Sequence, residues 1–241
     1  MSRTVKNSLC VLVLLTVLCL VCPSHTYASD DSLQVISGDE QQKIFEKIKT
    51  LQRDIHSLHA HVSQEKQLTI LKKKLHVEGT VMIAKPNQLR WDVVKPERSI
   101  TAIDGETITV YHPDKKEAQI RSLSESLIAN NTMSFFMAAM NGSLQEIDKK
   151  FTVQIFRKDG EIIFKLTPLS NMVGKYLSAV TIHYDEASGL PRGFEMLTPK
   201  GDKTITRLTN IKTNPGLKPE TFKIKLPDDV WITNKFEHPN Y

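Results

Sequence analysis

His56, His59 and His61 crowd into one short stretch and are the best metal-ligand candidates in the chain. On a strand His59 and His61 would share a face. No cysteine or close carboxylate pair stands beside them, though, and zinc sites draw on three or four such ligands. Cys10, Cys19 and Cys22 all lie in an N-terminal apolar stretch, so the Cys19–Cys22 spacing carries no redox or metal meaning. The pairs Asp30-Asp31 and Asp228-Asp229 fall in a polar leader and a loop, poor places for general acid or base work. A glycine-rich phosphate loop and a Gly-x-Ser-x-Gly elbow are both absent. Asn130-Asn131-Thr132 and Asn141-Gly142-Ser143 match the glycosylation pattern, which is common by chance. These residues point to no enzyme, no cofactor and no metal.

Met1 to Ala28 reads as a cleaved secretory signal. Arg3 and Lys6 open it, an apolar run from Leu9 to Val21 follows, and Thr26 and Ala28 supply small residues before the cut. The run is shorter than the ~20 residues of a spanning helix. Val21 before Cys22, and Leu18 before Cys19, are too large for a lipid-modification site, so the expected product is soluble and exported. Cleavage removes two basic residues and lowers the net charge from +5 to +3. Nucleic-acid binders carry a basic stripe; the nearest approach is Lys72-Lys73-Lys74, which reads as a solvated hairpin or a protected sheet edge.

The elements that would position any site follow two periods. Ser29 to Asp39 reads as a flexible leader, and 40–241 as a single domain. From Glu40 to Leu58, the residues Ile44, Ile48, Leu51, Ile55 and Leu58 recur at helical spacing. The period then becomes two: Val77, Val81 and Ile83; Leu89, Trp91 and Val93; Ile108 and Val110; and, later, Val153 and Ile155, Ile162, Phe164 and Leu166, Val180 and Ile182. Such alternation marks antiparallel strands with one wet face. Turns at Lys85-Pro86-Asn87, Lys95-Pro96, Asp104-Gly105 and Asp159-Gly160 are close enough for hairpins, giving about ten strands in one continuous meander.

One segment breaks the pattern. Met133, Phe135, Phe136, Met137 and Met140 gather near Asn130-Asn131 and Asn141-Gly142, as in two short broken helices. Methionine adapts its shape readily. The composition fits either a helix plugging one end of the core or a surface that repacks.

The stretch Gly79-Thr80-Val81-Met82-Ile83-Ala84-Lys85-Pro86-Asn87-Gln88-Leu89-Arg90-Trp91 resembles the outer-membrane lipoprotein carrier family, LolA. So do Lys95-Pro96, Ile103-Asp104-Gly105, Val110-Tyr111-His112-Pro113, the upstream Leu58 to Gln64, and the closing Pro219 to Phe222 and Leu226 to Val230. The resemblance implies a mainly β fold with helices: an open, strongly curved antiparallel half-barrel under an α-helical lid. It implies a periplasmic chaperone, a monomer that ferries acylated lipoproteins from an ATP-driven release complex in the inner membrane to an outer-membrane acceptor. In that reading Val81, Ile83, Leu89, Trp91, Val93, Ile108 and Val110 line the lipid cavity. Met133, Phe135, Phe136, Met137 and Met140 form the lid. Lys85, before Pro86, takes the place of a family arginine that latches the lid, keeping its charge but losing its planar fork of donors. Two readings stay open beside this one: a carrier of the same fold for another lipid or glycolipid, and a lipid-sensing regulatory module.

Overall fold

β-Branched and aromatic residues alternate with polar ones along most of the chain, and the result is one sheet with an apolar inner face. The structure, a computed structural model, describes residues 33–70, 74–125 and 147–233. The expected signal segment lies outside these residues. The sheet has thirteen strands: β1 Gln34–Ile36, β2 Ser57–Gln67, β3 Leu75–Ala84, β4 Gln88–Lys95, β5 Ser99–Ile103, β6 Thr107–His112, β7 Glu117–Ser122, β8 Phe151–Lys158, β9 Glu161–Pro168, β10 Ala179–Asp185, β11 Pro191–Leu197, β12 Lys203–Thr213 and β13 Trp231–Thr233. Among the described residues two α-helices accompany them, α1 Asp39–Gln52 and the single turn α2 Asn171–Gly174.

The strand order is β1-β8-β9-β10-β11-β12-β2-β3-β4-β5-β6-β7-β13, an open half-barrel. This corrects the single meander expected from the turns. There are two meanders, β2 to β7 and β8 to β12, and they join where β12 pairs with β2. Each meander also ends on a short strand from elsewhere in the chain. β1 pairs with β8, and β13 runs parallel to β7, the exception to an otherwise antiparallel sheet. Strands of three residues carry too little pattern to be read from sequence, and pairing with an existing edge creates them.

Two boundaries also move. The leader expected over 29–39 is ordered from Gln34, because Ile36 pairs opposite Ile155 and is buried in the core. Helix α1 stops at Gln52 and does not run to Leu58. The Asn214 side chain stops it by accepting from His56 N (2.8 Å) and Ser57 N (3.2 Å) and donating to Asp54 O (2.9 Å). Those bonds hold 54–57 in an extended path, and Leu58 enters β2.

Helix α1 buries Ile44, Phe45 and Ile48 against Ile155, Phe164, Ile182 and Tyr184 of β8–β10. The Phe45 and Phe164 rings lie 5.6 Å apart, and Tyr184 meets Phe164 edge-on at 5.4 Å. Polar straps fix the helix. Arg157 bridges Glu40 (2.9 Å) and Glu186 (3.2 Å), and Gln52 Nε2 donates to Gly189 O (2.7 Å). Gly189 has φ 67°, and a Cβ there would stand 2.8 Å from Leu51 Cβ, so this turn needs glycine to approach the helix. On the outer face Arg90 holds Asp92 (2.9 Å) and donates to Thr221 O (3.2 Å), tying the turn Pro219–Phe222 over β4.

Candidate functional site

Strand register gathers the seven apolar site residues onto the inner face of β3 to β6. One row runs Leu58, Ile83, Leu89, Ile103, Ile108 across five strands. The next runs Ala60, Val81, Trp91, Thr101, Val110, and a third Val62, Gly79, Val93, Ser99. Val81, Ile83, Leu89 and Ile108 are buried, whereas Trp91, Val93 and Val110 are half-buried. The rows end on polar β7 residues, Gln119 opposite Val110 and Arg121 opposite Ile108. Gly79 sits at an irregularity in the β3–β4 register, where a Cβ would run into Asp92 O.

Sequence reasoning missed the β2 contribution, Leu58, Ala60 and Val62. The alternation Leu58, Ala60, Val62, Gln64 was visible, but Leu58 also completed the helical spacing of the segment before it. It also missed a polar seam where the two meanders join. Gln64 and Lys66 share the inner face of β2 with Ala60 and Val62, opposite Thr206 and Thr204. Gln64 Nε2 donates to Thr206 Oγ1 (2.9 Å), while Gln64 Oε1 and Trp91 Nε1 are buried with no hydrogen-bond partner among the described residues. Burial pushes the Lys66 amine below its ordinary range. An unmet buried polar atom costs about 1–3 kcal/mol, so these two are exceptions within an apolar surface.

Lys85 stands at the far end of β3, next to Pro86 and the turn into β4. Its Nζ donates to Gln52 O at the C-terminal end of α1 (3.4 Å), and burial lowers its pKa. The helix end carries partial negative charge, which suits a cation. Met133, Phe135, Phe136, Met137 and Met140 lie outside the described residues. His59 and His61 share the outer face of β2 and His56 is exposed. Among the described residues no group of three or more His, Cys, Asp or Glu is placed to hold a metal ion.

A hollow of about 730 Å³ opens around His183, on the face opposite Ile162 and Phe164. Its lining mixes Leu190, Ile205, Leu208 and Ile211 with charged groups: His183 reaches Glu161 (3.2 Å) and Glu195 (3.6 Å), and Arg192 pairs with Asp185. Hydrocarbon there would desolvate those charged groups, whereas the three rows across β2 to β6 carry no charged side chain and are the better binding surface.

The model of the family described as outer membrane lipoprotein carrier protein LolA matches residues 53–225, from the end of α1 through β12 and the turn that follows it. The chain belongs to the LolA family. Curated relatives named outer-membrane lipoprotein carrier protein include one from Dechloromonas aromatica, 26% identical over 157 residues, covering 65% of this chain and 71% of the relative. Another, from Xanthomonas oryzae pv. oryzae, is 26% identical over 180 residues, covering 74% and 82%. Among solved structures, an uncharacterized conserved protein from Thermus thermophilus aligns with a TM-score of 0.49 at 15% identity, covering 80% of this chain and 98% of that one. The LolA match contains all three apolar rows, Lys85 and the β12–β2 seam. It leaves out β1, all of α1 and β13. No helix among the described residues is long and apolar enough to cross a membrane.

Proposed function

We propose that this protein is a periplasmic lipoprotein chaperone, which holds the acyl chains of its cargo on the inner face of β2–β6 and ferries them from the inner to the outer membrane. The observation that carries this reading is the set of three registered apolar rows, which remain partly open where the rest of the core is closed. Membership in a family of lipoprotein carriers supports it. Energy enters at an ATP-driven release complex in the inner membrane and cargo leaves to an outer-membrane acceptor, so the carrier itself catalyses nothing.

Burying hydrocarbon is worth about 0.8 kcal/mol per methylene, so one sixteen-carbon chain contributes roughly 12 kcal/mol. Several fully buried chains would exceed the practical affinity ceiling of ~18–21 kcal/mol and would not be released. A half-open face solves this by burying chains incompletely. The segment with Met133, Phe135, Phe136, Met137 and Met140 joins β7 to β8, which lie near opposite edges of the sheet. In our proposal it serves as the lid, and Lys85 with Pro86 marks the latch end.

The test is loading of a triacylated lipoprotein onto the purified carrier. Val110→Glu and Phe136→Glu should each reduce loading at least tenfold while the fold, read by circular dichroism, is kept. Unchanged loading in folded variants would overturn the assignment, and mass spectrometry showing only a free glycolipid on carrier from its host would replace the cargo.

A further inference from the structure

At one end of the sheet, the turns after β9, β11 and β2 are neighbours around the rim, because β9-β10-β11-β12-β2-β3 is an unbroken order. Large apolar side chains stand in water along this rim: Ile70 (84% exposed), Met172 (72%), Tyr176 (74%), Leu169, Met196 and Leu197. Singly exposed apolar residues are ordinary, but six brought together by three turns are not. The turns are held in place. Ser170 Oγ caps α2 by accepting from Met172 N (3.2 Å), Leu177 packs inward on the core, and Ser178 N donates to Leu197 O (2.7 Å). Thr69 binds Asp202 through both its N and Oγ1 (2.7 Å each), joining the second turn to the third. Met172 and Tyr176 are therefore presented outward by an anchored loop.

Charge says what covers them. Lys175 lies between Val173 and Tyr176 on the same loop, Lys150 stands beside its base through the bond from Leu169 N to Lys150 O (2.9 Å), and Lys200 tips the next turn. All three are exposed; Lys200 lies within the electrostatic reach of Asp202 on its own turn, and Lys150 and Lys175 form no ion pair among the described residues. Lysine is depleted from the cores of protein–protein interfaces. Beside exposed apolar side chains it is the mark of surfaces that sit in the headgroup layer of anionic lipid. Met196 is on the inner face and Leu197 on the outer, so the patch wraps the rim and leads onto the inner face.

We infer that this rim, centred on the 169–178 loop, docks reversibly on an anionic membrane surface, with Met172 and Tyr176 entering the interface and Lys150, Lys175 and Lys200 meeting lipid phosphates. The docking goes beyond carriage and does not depend on it.

The experiment is co-sedimentation with vesicles of phosphatidylglycerol and phosphatidylcholine, free of lipoprotein, using protein recovered from its native host. Binding should rise with the phosphatidylglycerol fraction and weaken with salt. Met172→Asp with Tyr176→Asp should lower it at least tenfold, and Lys175→Glu severalfold, with the urea midpoint of each variant unchanged. All of these side chains are exposed, so the variants should fold. No binding by the unaltered protein, or equal binding by the variants, overturns the proposal; capture of the same loop by a protein partner without vesicle binding also overturns it. Failure here with normal lipoprotein loading leaves the carrier assignment standing, so the two proposals fail separately.

Discussion

The inner face has two halves built from the same kind of strand, and they are finished differently. Under α1, Ile155, Phe164, Leu166, Ile182 and Tyr184 are each 0% exposed. Across the β12–β2 seam, Val81, Leu89 and Ile108 keep 8–9% exposure, and Trp91, Val93 and Val110 are only half-buried. Arg157, Glu186 and Gln52 strap a helix onto the first half. On the second half Lys85 reaches the last turn of that helix through a 3.4 Å bond. In the proposed carrier the closed half provides stability and the less completely buried half provides the binding surface.

The division is sharpest where its removal costs most. Phe164→Ala should destabilise the protein by about 3–5 kcal/mol, the usual cost of emptying a packed aromatic site, read as a lower urea midpoint with little change in slope. Trp91→Ala, on the open half, should cost less, roughly 1–2 kcal/mol, yet reduce lipoprotein loading at least tenfold. If the two substitutions destabilise equally, the halves are one core and the comparison breaks.

Acid should weaken the turn that joins β10 to β11. Hydrogen bonds from the Ser188 side chain and backbone, with the Arg192 guanidinium beside it, hold the Asp185 carboxyl below its ordinary value of 3.8. The charged form is favoured in the folded state, so its contribution is complete above that value and fades as pH falls through the lower folded one. Stability should therefore decline from about pH 5 downward, and Asp185→Asn should flatten that decline in urea titrations at pH 3 and 6. A profile unchanged by the substitution would remove Asp185 from the account.

The smallest effect is expected at the join. Burial disfavours the Lys85 charge, and its bond to Gln52 O is long, so Lys85→Met should change stability by less than about 0.5 kcal/mol. It should still speed amide exchange in the last turn of α1. Unaltered exchange would show that Lys85 holds nothing there.

Much of this was legible in the residues. Period-two alternation put Val81, Ile83, Leu89, Trp91 and Val93 on one face, because parity along a strand is local and survives any topology. Helix α1 was legible from Ile44 and Ile48, but its end was not: Asn214, far along the chain, closes it. The seam residues Gln64 and Lys66 were invisible as a site, since only the β12–β2 pairing sets them inside an apolar surface.

By itself the sequence determined which side of each strand is apolar and where most hairpins turn. The tertiary structure alone decided that two meanders form one sheet, that three-residue strands extend its edges, and that helix α1 packs on the β8–β10 half. The physical reason is range. Alternation and turn chemistry act over a few residues, whereas the order of strands and the cover over each half come from contacts between parts of the chain more than a hundred residues apart, as between Gln52 and Gly189.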